Sequence, residues 1–530
     1  MKTTGSEKDR KDKPRYVLSI LLVLLLGACT SQTAPETPSP PPMPIESDYW
    51  PTGGWRTSTP EEQGMDSAKL AEMIDYLQGQ TSFSIHSLLI IRNGYVVTDA
   101  YFYPFAQGSL HDIASDTKSI MSTLVGIAID QGYIESVRQP VLDFFPERTV
   151  ANLDANKEAM TLEDLLTMRS GFECIHQPTE VTLDQMMASS DWVQFALDLP
   201  MAAEPGTHFV YCSPNVHILS AIIQETTGMT ALAFAQEHLF GPLGISDVIW
   251  PPDPQGHNWG WGDIKLAPHD MAKLGYLYLN EGLWDGQQVL SSAWVKAATS
   301  SQQHATNGYG YLWWLKPGPP DIYFADGRGG QRISVLPEQN MVVVTTGGGG
   351  RDSDGVLEKL STAHIIPSVE SATPLPVNLD AVTALESKIQ DAAAPVHFQP
   401  EPVPSLPEIA PSVSGQTYVL DPNPAGLLSV SPAFPEEAEA LLGLSFIDGN
   451  QIEWLIGLDN VFRFSPGRYG LLAAAKGWWE SDNVFVVHLD EIGNINEMQF
   501  KLTFEDDQVT IQIQELTGLG GVTTVGRLEE

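Results

Sequence analysis

The sequence predicts an α+β domain followed by a small all-β domain, and three patterns in its 530 residues support this architecture. Strand-like apolar runs stand at both ends of the stretch before residue 365, with helical periodicity between them. A proline-rich stretch follows, and beyond it short strand-like runs alternate with turn residues. Because the chain is too long for one core, we expect two or three domains.

Composition and charge limit the classes of function. The chain is 42% hydrophobic, so most of it should fold, and its formal net charge is −38, from 28 basic and 66 acidic residues. Nucleic acid requires a basic surface, and anionic lipid attracts one. We therefore expect neither a nucleic-acid partner nor electrostatic docking on a membrane, and a solvated acidic surface explains the charge.

The first 29 residues have the order of a secretory signal. A basic segment from Lys2 to Arg15 precedes the apolar run Tyr16 to Leu26, which is too short for a comfortable transmembrane span. The ending Leu26-Gly27-Ala28-Cys29 resembles the bacterial lipobox. This resemblance implies cleavage before Cys29, lipidation of its thiol, and an exported protein whose domains lie outside the cytoplasm. An ordinary signal with an incidental cysteine is the alternative.

Changes in composition divide the chain. Pro, Ser and Thr dominate the segment after the signal, which we interpret as a tether. Many prolines and one possible helix, Leu379 to Ala393, indicate a linker that packs partly on the preceding domain. The predicted organisation is a signal in 1–29, a tether in 30–54, a first domain in 55–365, a linker in 366–413 and a β-domain in 414–530.

Local patterns place the elements of the first domain. Asp66 to Gln78 has the spacing of an amphipathic helix. Asn93-Gly94 separates two apolar runs and supplies the positive φ angles of a type I′ turn, so it predicts a β-hairpin. Later strands should pair with this hairpin in one sheet. The hairpin strands are Ser87 to Arg92 and Tyr95 to Tyr101, the intervening helices include Leu162 to Met168 and Val216 to Thr227, and the later strands are Ile322 to Ala325, Ile333 to Leu336 and Met341 to Thr346.

The C-terminal part contains short strands separated by turns such as Asp448-Gly449 and Pro466-Gly467. This pattern is typical of a small sandwich or of an up-and-down barrel. The predicted strands are Gln451 to Ile456, Val461 to Phe464, Asn483 to Leu489, Met498 to Phe504 and Val509 to Ile513.

Ser115-Asp116-Thr117-Lys118 is the only Ser-x-x-Lys tetrad in the chain, and it opens an apolar run with helical spacing. The serine should therefore lie near a helix N-terminus, with the lysine on the same face. A serine hydroxyl becomes an effective nucleophile when a base takes its proton. Lys118 can be that base when it is neutral, and burial favours its neutral form. A surface serine and lysine at a helix start is the alternative.

Two further motifs follow in chain order: Phe209 to Asn215, which contains Tyr211, and the glycine-rich Ala325 to Gln331. Together with the tetrad, they resemble the serine β-lactamase and penicillin-binding-protein superfamily over about residues 56–365. The similarity is greatest to hydrolases of the esterase and amidase branch related to class C β-lactamases. It implies an antiparallel sheet flanked by helices, with a helical subdomain. Supporting segments are Met160 to Gly171, Phe240 to Ile245 and Ala267 to Ala272.

The resemblance implies roles for single residues. Ser115 corresponds to the nucleophile and Lys118 to its proton acceptor. Tyr211 corresponds to the tyrosine of the Tyr-x-Asn motif, which passes a proton to the leaving group and then activates water; a core tyrosine is the alternative. Backbone N–H groups of Ser115 and of Arg328, which we place on an edge strand, should form the oxyanion hole.

The chain departs from the family pattern at two places. A serine stands where the family has the asparagine of Tyr-x-Asn, and Gly327-Arg328-Gly329 replaces the Lys-Thr-Gly of β-lactamases. Both the amide and the ammonium that recognise a β-lactam carboxylate are therefore in question. The candidate substrate-binding residues are Ser213, Asn215, Gly327, Gly329 and Gly330.

The remaining cysteines are Cys174 and Cys212. Both follow motifs that lie beside the active site in the resembling fold, and export permits oxidation, so a disulfide is predicted; buried thiols are the alternative. Four tryptophans either line an acyl pocket or pack in the core. They are Trp259, Trp261, Trp313 and Trp314.

The sequence thus predicts a lipid-anchored serine hydrolase that forms an acyl-enzyme on Ser115. The expected substrate is a small-molecule or peptide-like ester or amide, and no metal or other cofactor is expected. A true β-lactamase or D-Ala-D-Ala peptidase is one alternative. A non-catalytic cell-wall-binding or sensor lipoprotein is another. A third is a carrier or lipid-binding role led by the C-terminal β-domain, with the first domain as a scaffold.

Overall fold

The computed structural model describes residues 49–529 except 82, 178, 302–307, 349–352, 396–398, 436–437 and 518–519. The predicted signal, its Cys29 and most of the tether lie outside the described residues. The described residues belong to one compact unit. Among them, no single helix is long and apolar enough to cross a membrane, although the bent pair Ser213–Thr227 and Ala231–Phe240 meets that criterion by length and composition.

The first part of the chain is built on a central β-sheet. Its strands and the short pairs beside them are β1 Arg56–Thr57, β2 Ser84–Arg92, β3 Tyr95–Tyr101, β4 His111–Asp112, β5 Lys265–Leu266, β6 Leu283–Trp284, β7 Gln287–Gln288, β8 Trp314–Lys316, β9 Ile322–Gly327, β10 Gln331–Leu336 and β11 Met341–Gly348. Seven of them form a sheet in the order β1-β3-β2-β11-β10-β9-β8. The early strand β2 pairs antiparallel with the late strand β11, which confirms the predicted closure of the sheet.

The hairpin between β2 and β3 is confirmed. Asn93 and Gly94 have φ angles of 52° and 78°, as the type I′ turn requires. The strands on either side pair antiparallel from Arg92 and Tyr95 outward. The turn residues therefore fix the register of this edge of the sheet.

Helices cover the sheet and form the subdomain between β4 and β8. They are α1 Ser67–Gln78, α2 Asp116–Asp130, α3 Ala155–Ala159, α4 Leu162–Leu166, α5 Val181–Met187, α6 Trp192–Asp198, α7 Ser213–Thr227, α8 Ala231–Ala235, α9 Pro268–Leu279, α10 Ser292–Ala298, α11 Ser353–Lys359, α12 Ile366–Ser368, α13 Leu379–Ala393 and α14 Ala410–Val413. Shorter 3-10 or π segments are Pro51–Gly53, Glu61–Gln63, Val141–Phe144, Gln236–Phe240, Pro337–Gln339, Leu360–Ile365 and Arg468–Gly470.

Helix α2 runs through the centre of the core. Every residue from Asp116 to Ala128 is buried, as expected for a helix that is surrounded by protein on all sides. Helix α13, predicted within the linker, packs against α1 and β3. Its Leu385 is buried in the same apolar cluster as Leu70 of α1. Part of the linker thus covers the sheet.

The C-terminal part is a barrel, one of the two forms that the sequence predicted. Its strands are β12 Tyr418–Leu420, β13 Leu427–Ala433, β14 Glu439–Phe446, β15 Gln451–Gly457, β16 Arg463–Pro466, β17 Leu472–Ser481, β18 Val484–Glu491, β19 Glu497–Glu505, β20 Gln508–Glu515 and β21 Gly520–Leu528. Neighbours pair antiparallel, and a parallel pairing of β15 with β17 closes the ring. The strand predicted from Val461 begins at Arg463 instead.

Candidate active site

The chain turns sharply just before Ser115. Ala114 has a left-handed backbone with φ of 46°, a conformation that costs a non-glycine residue about 1–3 kcal/mol. The Asp112 carboxylate accepts a hydrogen bond of 2.7 Å from the Ala114 N–H. This turn joins β4 to α2 and leaves Ser115 at the N-cap of the helix, half-exposed. The predicted position of the serine is confirmed.

Lys118 lies one turn further along α2 and is only 1% exposed. Its Nζ atom is 2.8 Å from Ser115 Oγ and 2.8 Å from the carbonyl oxygen of Trp261. Burial lowers the pKa of Lys118 to about 8, against the charges of Glu180, Asp263 and Asp116, which raise it. About a tenth of the amine is therefore neutral at pH 7, far more than for a lysine of ordinary pKa.

The two contacts of Lys118 suit a proton acceptor. A neutral amine has two N–H donors and one lone pair. When the Trp261 carbonyl takes one N–H, the lone pair can face the Ser115 hydroxyl 2.8 Å away. Neither partner carries a charge that would hold the ammonium form in place. The pair is thus arranged for transfer of the serine proton to the lysine.

Tyr211 stands beside this pair, immediately before α7. The Nζ atom of Lys118 is 4.8 Å from the centre of the tyrosine ring. The ring stacks on Trp314 with centroids 6.2 Å apart. Burial raises the pKa of Tyr211 well above 10, with Tyr309 and Glu180 acting in the same direction, and a hydrogen bond with Ser115 opposes the shift. Tyr211 therefore carries its proton at neutral pH, and Lys118 is the better base.

The end of β9 forms the third side of the site. A Cβ atom on Gly327 would lie 2.6 Å from the carbonyl oxygen of Ile113 and 3.2 Å from Cβ of Ala114. Only glycine allows the strand to approach the turn before Ser115 this closely. The glycine-rich motif and the Ser-x-x-Lys tetrad, far apart in sequence, thus meet.

The prediction that Arg328 lies on an edge strand is wrong. β9 ends at Gly327, and Arg328 belongs to the loop between β9 and β10, while the edge of the sheet is β8. The Arg328 guanidinium donates hydrogen bonds to Asn496 Oδ1 at 2.6 Å and to Thr517 Oγ1 at 3.1 Å. The side chain thus ties this loop to the barrel. The role of its backbone N–H in the oxyanion hole stays a prediction.

The other predicted substrate-binding residues are packed closely. Ser213 and Asn215 are fully buried at the start of α7, and the Asn215 amide donates to Met168 Sδ at 3.8 Å. Gly329 and Gly330 have φ angles of 80° and 88°. A Cβ atom on them would press against Ile495 and Phe83, respectively. These contacts explain the residue types by packing, and a role in substrate binding stays a prediction for all four.

An acidic group that the sequence analysis missed lies beside the site. Asp326 accepts a hydrogen bond of 2.7 Å from Arg332 Nε, and its charge contributes to the raised pKa of Asp116 and Tyr211. Asp116 is fully buried and, among the described residues, its carboxylate has no hydrogen-bond partner. The only signal was the position of Asp326 directly before Gly327.

Cys174 and Cys212 form a disulfide with Cα atoms 5.9 Å apart, within the usual range. The bond lies next to Tyr211. Among the tryptophans, Trp313 is buried in the core at 1% exposure. Trp261 and Trp259 stack with centroids 5.2 Å apart, and Trp261 holds Lys118. Within the described residues, no three His, Cys, Asp or Glu side chains are grouped to hold a metal ion.

Comparisons with known proteins identify the family of the chain. The family model named Beta-lactamase matches residues 70–356, more than half of the chain. A 6-aminohexanoate-dimer hydrolase of Paenarthrobacter ureafaciens is 23% identical over 353 residues, 62% of this chain and 84% of that protein. A beta-lactamase of Escherichia coli K12 is 26% identical over 167 residues, 31% of this chain and 42% of that protein. An octameric penicillin-binding protein homologue from Pyrococcus abyssi, a solved structure, is 17% identical with a TM-score of 0.46, and the match covers 87% of this chain and all of that chain.

Proposed function

We propose that this chain, which belongs to the beta-lactamase family of serine hydrolases, cleaves an ester or amide through an acyl-enzyme intermediate on Ser115. The observation that carries the proposal is the buried Lys118 amine, which lies 2.8 Å from Ser115 Oγ and has a pKa lowered by burial to about 8. A lysine so placed can take the serine proton at neutral pH.

In the acylation step, Ser115 Oγ bonds to the substrate carbonyl carbon while its proton moves to Lys118 Nζ. The carbonyl oxygen becomes an oxyanion, which backbone N–H groups of Ser115 and Arg328 stabilise. The intermediate then collapses, and the bond to the leaving group breaks. Tyr211 gives its hydroxyl proton to the leaving group and regains a proton from the Lys118 ammonium.

In the deacylation step, water replaces the leaving group. It adds to the acyl carbon as its proton passes through Tyr211 to Lys118. The bond to Ser115 Oγ breaks, the serine recovers its proton, and a carboxylic acid leaves. Each proton that Lys118 accepts is returned within the cycle, so the enzyme ends as it began.

Charge beside the site supports an uncharged ester or amide over a β-lactam. A β-lactam carries a carboxylate, and the charge of Asp326, which already raises the pKa values of Asp116 and Tyr211, disfavours a further negative charge there. The nearby Arg328 guanidinium is bonded to barrel side chains. The similarity to a 6-aminohexanoate-dimer hydrolase supports an amide substrate.

A fluorophosphonate probe tests the intermediate. We expect the wild-type protein to gain the mass of one phosphonyl group, located on Ser115 by peptide mass spectrometry. Failure to label, together with no turnover of p-nitrophenyl acetate or butyrate, would favour the non-catalytic alternative.

Rates test the substrate class. We expect kcat/KM for p-nitrophenyl butyrate to exceed that for nitrocefin. The reverse order would favour a true β-lactamase, the alternative to which the Escherichia coli relative points.

We also propose that the protein is exported and anchored by lipid on Cys29. The order of residues 1–29 supports this localisation. Expression of the full chain in a bacterium fed with labelled palmitate should label the wild type and leave Cys29→Ser unlabelled. Equal labelling of both would contradict the anchor.

A further inference from the structure

The barrel contains a cavity of about 290 Å³. Protein cores rarely leave such space unfilled, and a barrel of this size can hold one small ligand. Its volume approaches the lower end of the range for ligand sites. The inner wall is apolar and includes Leu427, Phe446, Ile452, Trp454, Met498 and Phe500.

The cavity reaches the catalytic domain at one segment of chain. Trp259, Asp263 and Lys265 line it together with the barrel residues. Trp259 stacks on Trp261, whose carbonyl oxygen lies 2.8 Å from Lys118 Nζ. The cavity wall and the group that holds the proton acceptor are therefore two residues apart in sequence and in contact in space.

A backbone hydrogen bond joins the barrel to the turn before Ser115. The Asp112 N–H donates to the Gly493 carbonyl oxygen at 2.7 Å, and Gly493 also lines the cavity. Asp112 in turn accepts the hydrogen bond from the Ala114 N–H, one residue before Ser115. A wall of the cavity thus adjoins the turn that carries Ser115.

The charges at this side disfavour an anionic occupant. Lys265 is bonded to Asp112 at 2.9 Å, and Arg468 to Asp448 at 2.9 Å, so both cations already have carboxylate partners. The carboxyl groups of Asp263 and Glu491 also line the cavity. A free fatty acid would bring its carboxylate against them, whereas a neutral ester or amide would not.

We propose that the barrel cavity binds the aliphatic acyl chain of the substrate, so that a neutral medium-chain ester or amide places its carbonyl at Ser115 and its hydrocarbon tail in the barrel. The placement of the carbonyl at Ser115 rests on the proposed function. The binding of the hydrocarbon chain rests on the cavity alone. The volume equals about ten molecules of liquid water. A methylene group needs similar room, so a chain of about six to ten carbons fits.

Binding is tested without catalysis. The full chain with Ser115→Ala is titrated with N-phenyl-1-naphthylamine, a neutral apolar fluorophore, and then with decanamide. We expect saturable fluorescence enhancement at one site and displacement by decanamide, with decanoate, which has the same chain length, displacing far less well. Absence of saturable binding, or equal displacement by decanoate, would overturn the proposal.

Cavity-filling variants locate the site. Ala473 and Ala425 line the cavity, and Ala473→Phe or Ala425→Phe, each combined with Ser115→Ala, should weaken fluorophore binding at least tenfold. Leu428→Phe is the matched control, because Leu428 is 48% exposed on β13 next to the cavity residue Leu427. If one filling variant fails to fold, the other decides, and unchanged binding in a folded filling variant would refute the location.

The dependence of kcat/KM on the length of the acyl chain tests whether the chain of a reacting ester lies in the cavity. Each buried methylene is worth about a three- to fivefold gain in kcat/KM, so p-nitrophenyl octanoate should exceed the acetate by well over tenfold. Ala473→Phe should collapse that ratio, and Leu428→Phe should keep it. A flat profile in active wild-type enzyme would overturn the acyl-chain assignment. If no ester is hydrolysed, the proposed function fails, while the fluorophore titration still decides whether the cavity binds a neutral chain.

Discussion

Lys118, beside the nucleophile, and Lys265, beside the barrel, are equally inaccessible but differ in their partners. They are 1% and 3% exposed. Lys118 contacts a hydroxyl and a carbonyl, and burial lowers its pKa to about 8. For Lys265, burial acts in the same direction, but the charges of Asp112 and Asp263 outweigh it and raise its pKa. Burial alone therefore does not determine whether a lysine can act as a base. The charge of its hydrogen-bond partner decides the direction in which its pKa shifts.

A third lysine, Lys157, shows that a lowered pKa is not sufficient to identify a base. Lys157 is buried and donates to the carbonyl oxygens of Ala151 and Leu197 at 2.8 and 2.9 Å. Burial lowers its pKa, as it does for Lys118. No nucleophile is among these two partners. A lowered lysine pKa thus indicates a base only where a hydroxyl stands within hydrogen-bond distance.

Removal of the nucleophile should have the largest effect. Ser115→Ala should abolish both phosphonate labelling and ester turnover, because no second Ser-x-x-Lys exists in the chain. The measurement is intact mass together with initial rate. Labelling that persists at full stoichiometry would show that the base and nucleophile are elsewhere.

Loss of the neutral lysine comes next. Lys118→Ala should lower kcat by about 10²–10⁴, the usual contribution of a general base, with the fold kept as judged by circular dichroism. Lys296→Ala, at an exposed position on α10, is the control and should match the wild type. A normal rate in Lys118→Ala would contradict the assignment of Lys118 as the base.

Loss of the carboxylate of Asp112 tests the stabilising role assigned to the Asp112–Lys265 pair. Asp112→Asn leaves Lys265 buried without its carboxylate and should lower the free energy of unfolding by about 3 kcal/mol, measured in urea at pH 7. Because the folded pKa of Lys265 is raised, the pair stabilises below the ordinary lysine pKa near 10 and loses its contribution above it. Glu358→Gln, in an exposed pair with Lys316, should cost less than about 1 kcal/mol. Equal costs would contradict the assigned role of Asp112.

The pH profile of the wild-type enzyme tests the pKa of Lys118 directly. Since Lys118 must be neutral to accept a proton, kcat/KM should rise about tenfold per pH unit at low pH and level off above an apparent pKa of about 8. Tyr211, with its pKa raised well above 10, should cause no decline before pH 10. A rise centred near pH 10, the ordinary lysine value, would mean that Lys118 is solvated in the working enzyme.

Local signals predicted the parts of the fold that depend on neighbours in sequence. Asn93-Gly94 determined its hairpin by backbone geometry, and Leu379–Ala393 was predicted with the bounds that the structure has. The strand β17 was missed because its run of alanines favours a helix over a strand. Its parallel pairing with β15 joins residues about twenty positions apart, which no local pattern reveals.

The site also contains features that the sequence predicts and features that depend on how distant segments pack. Spacing predicted that Ser115 and Lys118 lie on one helix face, the resemblance added Tyr211, and the structure places the three side by side. The acceptor that orients Lys118 is a backbone carbonyl, at Trp261, and a backbone group has no signature in sequence. The bonds from Arg328 to the barrel depend on how two distant segments pack, so the edge-strand prediction had no means of including them.

The disulfide beside Tyr211 joins two segments of chain that border the site. Cys174 precedes the segment that carries Glu180, and Cys212 follows the tyrosine directly. The bond thus fastens two walls of the catalytic cleft to each other. Such bonds persist under oxidising conditions and are broken by reduction. A reductant that opens this bond would therefore free the two walls from each other.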